Sequence, residues 1–471
     1  MIGRKEEIRY LEEMSQRAEA QLIAVFGRRR VGKTYLVRNC FAGRLLFEHT
    51  GLFHANLAGQ LLAFRDSLKR AGLSKIPRLT NWHDAFLALE ELIRLHEGEK
   101  RIVFLDELPW MDTPKSGFVP AFEAFWNGWA SAQSDLMIVF CGSATSWVIN
   151  KVLRNKGGLH NRVTGTLPLA PFSLGECRAY AESMGLSYSD MDIAEAYMVF
   201  GGIPYYWSFL RREESLPQSI DRLFFFPNGQ LRHECTELYN SLFSSEEAYI
   251  NIVTALAKKR TGLSLSELAT TMGTSKGGRL SRFLDELEQC GFIRRYTTWE
   301  HKKRDALFQL IDNFTLFHFS FLNDDTNQDS QFWSKSIKTP TVSVWKGLAF
   351  ERLCLQHIDQ IKKALGISGV LTKVYSWRHQ PNEIYPQGAQ IDLLIERADR
   401  VVNICEMKWC DGAFAIDKET DTNLRTKVAT FRSVTGCKLS IHLTLVTPEG
   451  ILHNKYWNAI QSEVTLAELF T

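Results

Sequence analysis

The chain lacks any pair of cysteines at a metal-binding or redox spacing. Its nine cysteines, Cys40, Cys141, Cys177, Cys235, Cys290, Cys354, Cys405, Cys410 and Cys437, are odd in number and scattered, with no Cys-x-x-Cys pair or neighbouring histidine pattern. They read as reduced, mostly buried thiols, which excludes a zinc framework or a disulfide scaffold. No segment approaches the roughly 18 to 20 uninterrupted apolar residues of a membrane span, and residues 1–10 alternate charges where a signal peptide would be apolar. A cytosolic protein without a membrane partner is therefore expected. Charge of one sign is also scarce. A formal net charge of +3 supplies no global field, so any nucleic-acid binding must come from local basic patches. Internal repeats and low-complexity tracts are absent too, which leaves a solenoid or a disordered array without support.

What is present is the composition of a soluble globular protein, 45% hydrophobic and 23% charged, in a chain of 471 residues. That length exceeds one ordinary hydrophobic core and implies about three units. The first stretch alternates short apolar runs with amphipathic helical periods, the rhythm of a parallel sheet flanked by helices. Strands are expected at residues 22–26, 101–105 and 136–141. From about Pro171 to Phe243 helical periods dominate and imply a helical lid. Residues 247–311 give three helices and two short strands, with 265–272 and 279–289 as a helix-turn-helix and 292–296 and 307–311 as a wing. The polar stretch 324–340 is a linker candidate. The expected domains are a P-loop core over 1–170, a lid over 171–245, a winged helix over 246–323, the linker, and a third domain over 341–471.

Gly27, Arg28, Arg29, Arg30, Val31, Gly32, Lys33 and Thr34 fit GxxxxGK[ST] directly after an apolar strand. Glycines let backbone N–H groups wrap phosphates at a helix N-terminus, Lys33 supplies charge to the outer phosphates, and the Thr34 hydroxyl suits a magnesium ligand. ATP with Mg2+ is the cofactor this pattern predicts. The run ending in Asp106 and Glu107 places two acids at the carboxyl end of a buried strand. Asp106 is expected in the magnesium shell and Glu107 as the catalytic residue that orients or deprotonates the attacking water. Ser143, after the third strand, is the expected γ-phosphate sensor. Arg154 and Arg162 follow it, and either could stabilise charge on the nucleotide of a neighbouring protomer in a homo-oligomer or be an ordinary surface arginine.

These residues, with Phe104-Leu105-Asp106-Glu107, Cys141-Gly142-Ser143 and Gly201-Gly202-Ile203-Pro204-Tyr205-Tyr206, resemble the archaeal-type ATPases of the AAA+ and STAND group. The resemblance implies an α/β multidomain fold: an AAA+-like P-loop NTPase core with helical lid, a winged helix-turn-helix, and a variable C-terminal module. Asn161-Arg162 stands where that family more usually has Gly-Arg.

Lys276, Arg279 and Arg282 lie three residues apart, so they can share one helical face toward duplex or branched DNA. Arg294 and Arg295, with His301-Lys302-Lys303-Arg304 at the expected wing tip, extend the positive strip. Asp285, Glu286 and Glu288 dilute it, and a winged helix can equally pack on other domains.

In the third domain, residues 390–395 and 401–409 are two apolar runs joined by a polar turn and read as a hairpin. A turn centred on Asp399 sets Asp392 opposite Glu406, with Lys408 on the face of Glu406. Facing carboxylates in an apolar setting are costly unless a cation lies between them, so magnesium bound by Asp392 and Glu406 is expected, with Glu351 completing the carboxylate set and Lys408 helping to activate water. The order Glu351, Asp392, Glu406-x-Lys408 is similar to that of the PD-(D/E)xK restriction-endonuclease-like nucleases, with Ala389-Gln390-Ile391-Asp392 in place of their Pro-Asp. A catalytic trio of Asp392, Glu406 and Lys408 would make the chain an ATP-dependent, Mg2+-dependent DNA endonuclease. The alternative is a STAND-like nucleotide switch whose winged helix and degenerate nuclease fold bind DNA or protein without cutting, a salt bridge such as Glu406–Lys408 or a third group satisfying the acids.

Overall fold

Apolar runs without alternation become strands buried on both faces, and this is the case in the first unit. The computed structural model describes residues 2–96, 100–153, 159, 161–242, 246–259, 261–274, 277–299, 306–322 and 329–471. These fall into two compact units, Met1–Pro171 and Phe172–Thr471.

In the first unit β1 (Gln21–Phe26), β2 (Leu45–Thr50), β3 (Arg101–Asp106), β4 (Leu136–Gly142) and β5 (Gly165–Pro168) form one sheet in the order β2-β3-β4-β1-β5. Every pairing is parallel. The three central strands are almost wholly buried, as parallel strands covered on both faces require. Their bounds match the sequence expectation within a residue. The edge strands β2 and β5 are additions, because their half-buried, mixed composition lacks a strong period.

Helix Leu57–Arg70 is capped by Asn56 and helix Trp82–Arg94 by Asn81, each side chain accepting the N–H three residues on. The buried faces of these helices meet in an aromatic cluster. Phe64, Trp82, Phe86, Phe118 and Phe122 lie with successive ring centroids 4.9 to 6.1 Å apart, and they anchor the helices on one face of the sheet.

The second unit begins with helices Leu174–Ser183 and Asp190–Phe200, both started by capping boxes at Ser173 and Ser189. Helices Glu246–Ala257, Leu265–Thr271 and Gly278–Gln289 follow, with β6 (Leu263–Ser264), β7 (Ile293–Tyr296) and β8 (Leu307–Leu310) in an antiparallel sheet ordered β6-β8-β7. Leu280, Phe283, Leu284 and Leu287 give helix Gly278–Gln289 its buried stripe.

The expected linker at 324–340 differs from its description. Residues 324–328 lie outside the described residues, but Phe332–Ser336 is helical and Trp333 is 1% exposed among Phe317, Phe321 and Trp345. Asp221, itself buried, accepts the N–H groups of Trp333 and Ser334 at 2.8 and 3.1 Å. Polar composition suggested a solvated tether, whereas one tryptophan and a remote acceptor fix the segment as packed structure.

A five-stranded sheet ends the unit: β9 (Thr372–His379), β10 (Ala389–Arg397), β11 (Val401–Met407), β12 (Ser440–Thr447) and β13 (Ser462–Thr465), in the order β13-β12-β11-β10-β9. β9, β10 and β11 pair antiparallel, and β11, β12 and β13 parallel. Helix Lys418–Thr435 covers one face, where Leu424 and Phe431 meet Ile391, Leu394, Val402 and Ile404.

Candidate functional site

Gly27 and Gly32 shape the loop that follows β1. Gly27 has φ 151°, and a Cβ there would lie 2.3 Å from the Leu169 carbonyl oxygen. Gly32, at φ 94°, is the N-cap of helix Lys33–Cys40, so the chain turns in the left-handed region and enters the helix at once. The buried Lys33 ammonium donates to the Gly27 and Arg28 carbonyl oxygens at 2.9 and 3.0 Å. Its charge is thereby held over the loop itself. The Thr34 hydroxyl donates to Asp106 Oδ2 at 2.9 Å, which ties the helix after β1 to the end of β3 although the two residues are 72 apart in sequence.

β4 lies between β1 and β3, so its carboxyl end meets both. Ser143, just beyond it, donates its N–H and its hydroxyl to Glu107 Oε2 at 2.9 and 2.8 Å. Glu107 sits at φ 51° as the N-cap of the turn Leu108–Met111, a strained backbone for a non-glycine residue of the kind that concentrates at functional sites. Burial raises the Glu107 carboxyl above its ordinary value, opposed by Lys33 and by the Ser143 backbone N–H. Burial and the Lys33 charge thus act on this carboxyl in opposite directions. Gly27, Lys33, Thr34, Asp106, Glu107 and Ser143 are thus gathered at one end of the sheet.

Two contacts to Asp106 escaped the sequence reading. Thr50, at the end of β2, reaches Asp106 Oδ2 at 3.5 Å, and the fully buried Cys141 thiol contacts Asp106 Oδ1. Thr50 belongs to no motif, and Cys141 entered only as the first residue of Cys141-Gly142-Ser143, with no role of its own. The donor chemistry fits a magnesium nucleotide: a hydroxyl and a carboxylate already in contact, one ammonium, and glycines that leave the loop backbone open. Arg162 is exposed; Arg154 lies outside the described residues.

In the second unit the β10–β11 register is the expected one, Leu393 opposite Cys405 and Leu394 opposite Ile404. The shared carboxylate face is not found. Between Ile391 and Leu394 the pairing of β10 to β9 shifts by a residue, and this bulge leaves both apolar side chains on the face covered by helix Lys418–Thr435. Asp392, between them, turns to the opposite face. There it lines a small cleft with Arg294 and Tyr296 and accepts from Gln390 at 2.7 Å. Glu406 alternates with Ile404 and Val402 and stays on the helix-covered face, where Lys408 and Lys427 reach its two oxygens at 2.9 and 2.6 Å. The lysines hold its carboxyl below the usual range against the effect of burial. This donor set does not fit a divalent cation: Glu406 is already neutralised, Asp392 faces elsewhere, and no group of three His, Cys, Asp or Glu suited to a metal occurs among the described residues, Glu351 included.

The basic strip also divides. Arg279 and Arg282 are exposed on helix Gly278–Gln289, each within 5.4 Å of the Phe283 ring. Arg295 pairs with Asp285 and, at 3.0 Å, Glu288. Arg294 does not reach the surface strip: it donates to Gln309 Oε1 at 2.7 Å and lies over the Tyr296 ring, because its position in β7 alternates inward from that of Arg295. Lys276 and the wing-tip residues 301–304 lie outside the described residues.

Residues 1–209 match the family model of an ATPase domain predominantly from Archaea. An uncharacterized protein of Methanocaldococcus jannaschii is 24% identical over 427 residues, 87% of this chain and 88% of that protein. Among solved structures, a Walker-type ATPase of Pyrococcus abyssi is 19% identical over 68% of this chain and 96% of its own, with TM-score 0.49. The ORC2 protein of Aeropyrum pernix, in ADPNP–ADP complexes, is 13% identical over 68% and 93%, with TM-score 0.42. No helix among the described residues is long and apolar enough to cross a membrane. The match of residues 1–209, on a parallel five-stranded sheet, supports an archaeal-type P-loop ATPase.

Proposed function

We propose that this chain is an ATP-hydrolysing switch whose second unit engages nucleic acid without cutting it. The observation that carries the first half is the bond from Thr34 to Asp106, with Glu107 held by Ser143 beside it. When bound, magnesium ATP supplies the phosphoanhydride to be cleaved. Backbone N–H groups from Gly27 to Thr34, including those of Arg29, Arg30 and Val31, cradle its phosphates. Lys33 would turn from the loop carbonyls to the outer phosphates, Thr34 and Asp106 would hold the metal, Glu107 would orient and deprotonate water, and Ser143 would couple Glu107 to the γ-phosphate position. An arginine of a second protomer, Arg162 or Arg154, completes the charge stabilisation in a homo-oligomer.

The helices and antiparallel sheet of residues 246–322 act as a winged helix that meets duplex DNA through Arg279 and Arg282. The C-terminal sheet binds and does not cut, a reading supported by the two lysines on Glu406. A second reading, magnesium-dependent cleavage by Asp392, Glu406 and Lys408, draws support from the β10–β11 register alone.

Two assays test these readings. Glu107→Gln is expected to bind ATP and not turn it over; turnover at the wild-type rate removes Glu107 from its role. Incubation of linear, nicked and branched DNA with magnesium, with and without ATP, is expected to leave the DNA intact. Cleavage that Asp392→Ala abolishes would replace the switch by the nuclease.

A further inference from the structure

A cavity of about 290 Å³ opens between β10, β11 and helix Lys418–Thr435, outside the nucleotide site. Its charged lining consists of Glu406, Lys408 and Lys427, joined by the polar side chains of Gln390, Thr420 and Asn423. Each Glu406 oxygen takes one ammonium, Lys408 at 2.9 Å and Lys427 at 2.6 Å. Two ammonium groups against one carboxylate leave the cavity one positive charge. Glu406 also fixes the two lysines side by side, although one lies just past β11 and the other on a helix 19 positions later in sequence. An ammonium has three donors, so each lysine keeps two beyond its bond to Glu406. Lys408 is 40% and Lys427 24% exposed, which leaves both accessible from solvent.

We infer that this cavity is a metal-independent phosphate site, in which Lys408 and Lys427, braced by Glu406, bind a phosphodiester of a nucleic-acid backbone. A tetrahedral anion with several acceptor oxygens matches paired ammonium groups and a rim of hydroxyl and amide donors. A divalent cation matches them poorly, since it would need the carboxylate that the lysines occupy. Lys427 supplies a cation to Glu406 from the chain itself. The inference rests on the non-cutting reading of the second unit.

The test is binding of a fluorescent oligonucleotide, single-stranded and duplex, to the full chain in EDTA and without ATP, across a salt series. Lys427→Gln and Lys408→Gln are each expected to weaken all sequences alike and to reduce the log–log salt slope by about one. Glu406→Gln keeps both ammonium groups and removes the opposing charge, so it is expected to tighten binding, a change that misfolding cannot mimic. Unchanged slopes in both lysine variants, or binding that appears only when magnesium replaces EDTA, overturn the inference. Inorganic phosphate added as competitor separates the sources: binding of phosphate with no oligonucleotide bound overturns the nucleic-acid assignment. Cleavage in magnesium defeats the non-cutting reading, whereas failed salt slopes with intact DNA defeat this inference alone.

Discussion

Thr34 and Asp106 are joined by a 2.9 Å hydrogen bond between the helix that opens after β1 and the end of β3. The bond brings together the two groups proposed to share one magnesium shell. Thr34→Val is nearly isosteric and removes the hydroxyl. It is expected to weaken magnesium-dependent ATP binding while leaving metal-free nucleotide binding largely intact, as measured by titration with and without EDTA. Equal loss in both conditions would mean the hydroxyl serves the fold and not the metal.

Ser143 stabilises the ionised form of Glu107, since both its hydrogen bonds go to one carboxylate oxygen. Burial already raises this carboxyl. Removing the hydroxyl with Ser143→Ala deletes an interaction that favours the charged form, so the Glu107 pKa rises further. The acid limb of the ATPase rate profile is expected to move to higher pH. A limb that stays in place or moves to lower pH would disconnect Ser143 from the ionisation.

His49 is buried beside Ser67, its ring lying 4.9 Å from that of Phe64, and its pKa is lowered to about 4 from 6.5, chiefly by burial and further by Arg70. The unfolded state takes up a proton at higher pH than the folded one, so stability falls as pH drops from about 6.5 toward 4. His49→Asn is expected to flatten the melting temperature in that window. A variant with the wild-type slope would place the pH dependence on other groups, of which His318, also lowered to about 4, is the next to replace.

Asp221 caps helix Phe332–Ser336 from 112 residues away. Asp221→Ala leaves the buried Trp333 N–H and the half-buried Ser334 N–H without that acceptor, and the buried one alone costs about 1 to 3 kcal/mol. Chemical denaturation should register the loss, and proteolysis should open the 329–340 segment first. Protection equal to wild type would show that Trp333 alone holds it.

Gly27→Ala tests the loop by sterics. Its Cβ would lie 2.3 Å from a backbone oxygen that has no side-chain freedom to yield. Nucleotide binding is expected to be lost with β5 displaced from β1, and retained binding would require a loop path other than this one.

The nucleotide site was legible because it is written locally. An apolar run, GxxxxGK[ST] and a second run ending in Asp106-Glu107 each specify a strand and the side chains at its end, since a parallel strand buried on both faces leaves few other readings. Sequence by itself also set the β10–β11 register through the polar turn near Asp399. What it lacked was the order of strands: only the insertion of β4 between β1 and β3 brings Ser143 to Glu107, and only the edge strand β2 brings Thr50 to Asp106. At the C-terminal constellation tertiary structure decided the outcome. A one-residue bulge against β9 reverses the face of Asp392, and a lysine from the covering helix neutralises Glu406. Period-two alternation cannot foresee a bulge set by pairing to a third strand, and no spacing rule links Glu406 to Lys427. Motifs determine which side chains are offered at the end of an element. Packing between distant elements determines which face they occupy and which charges they meet.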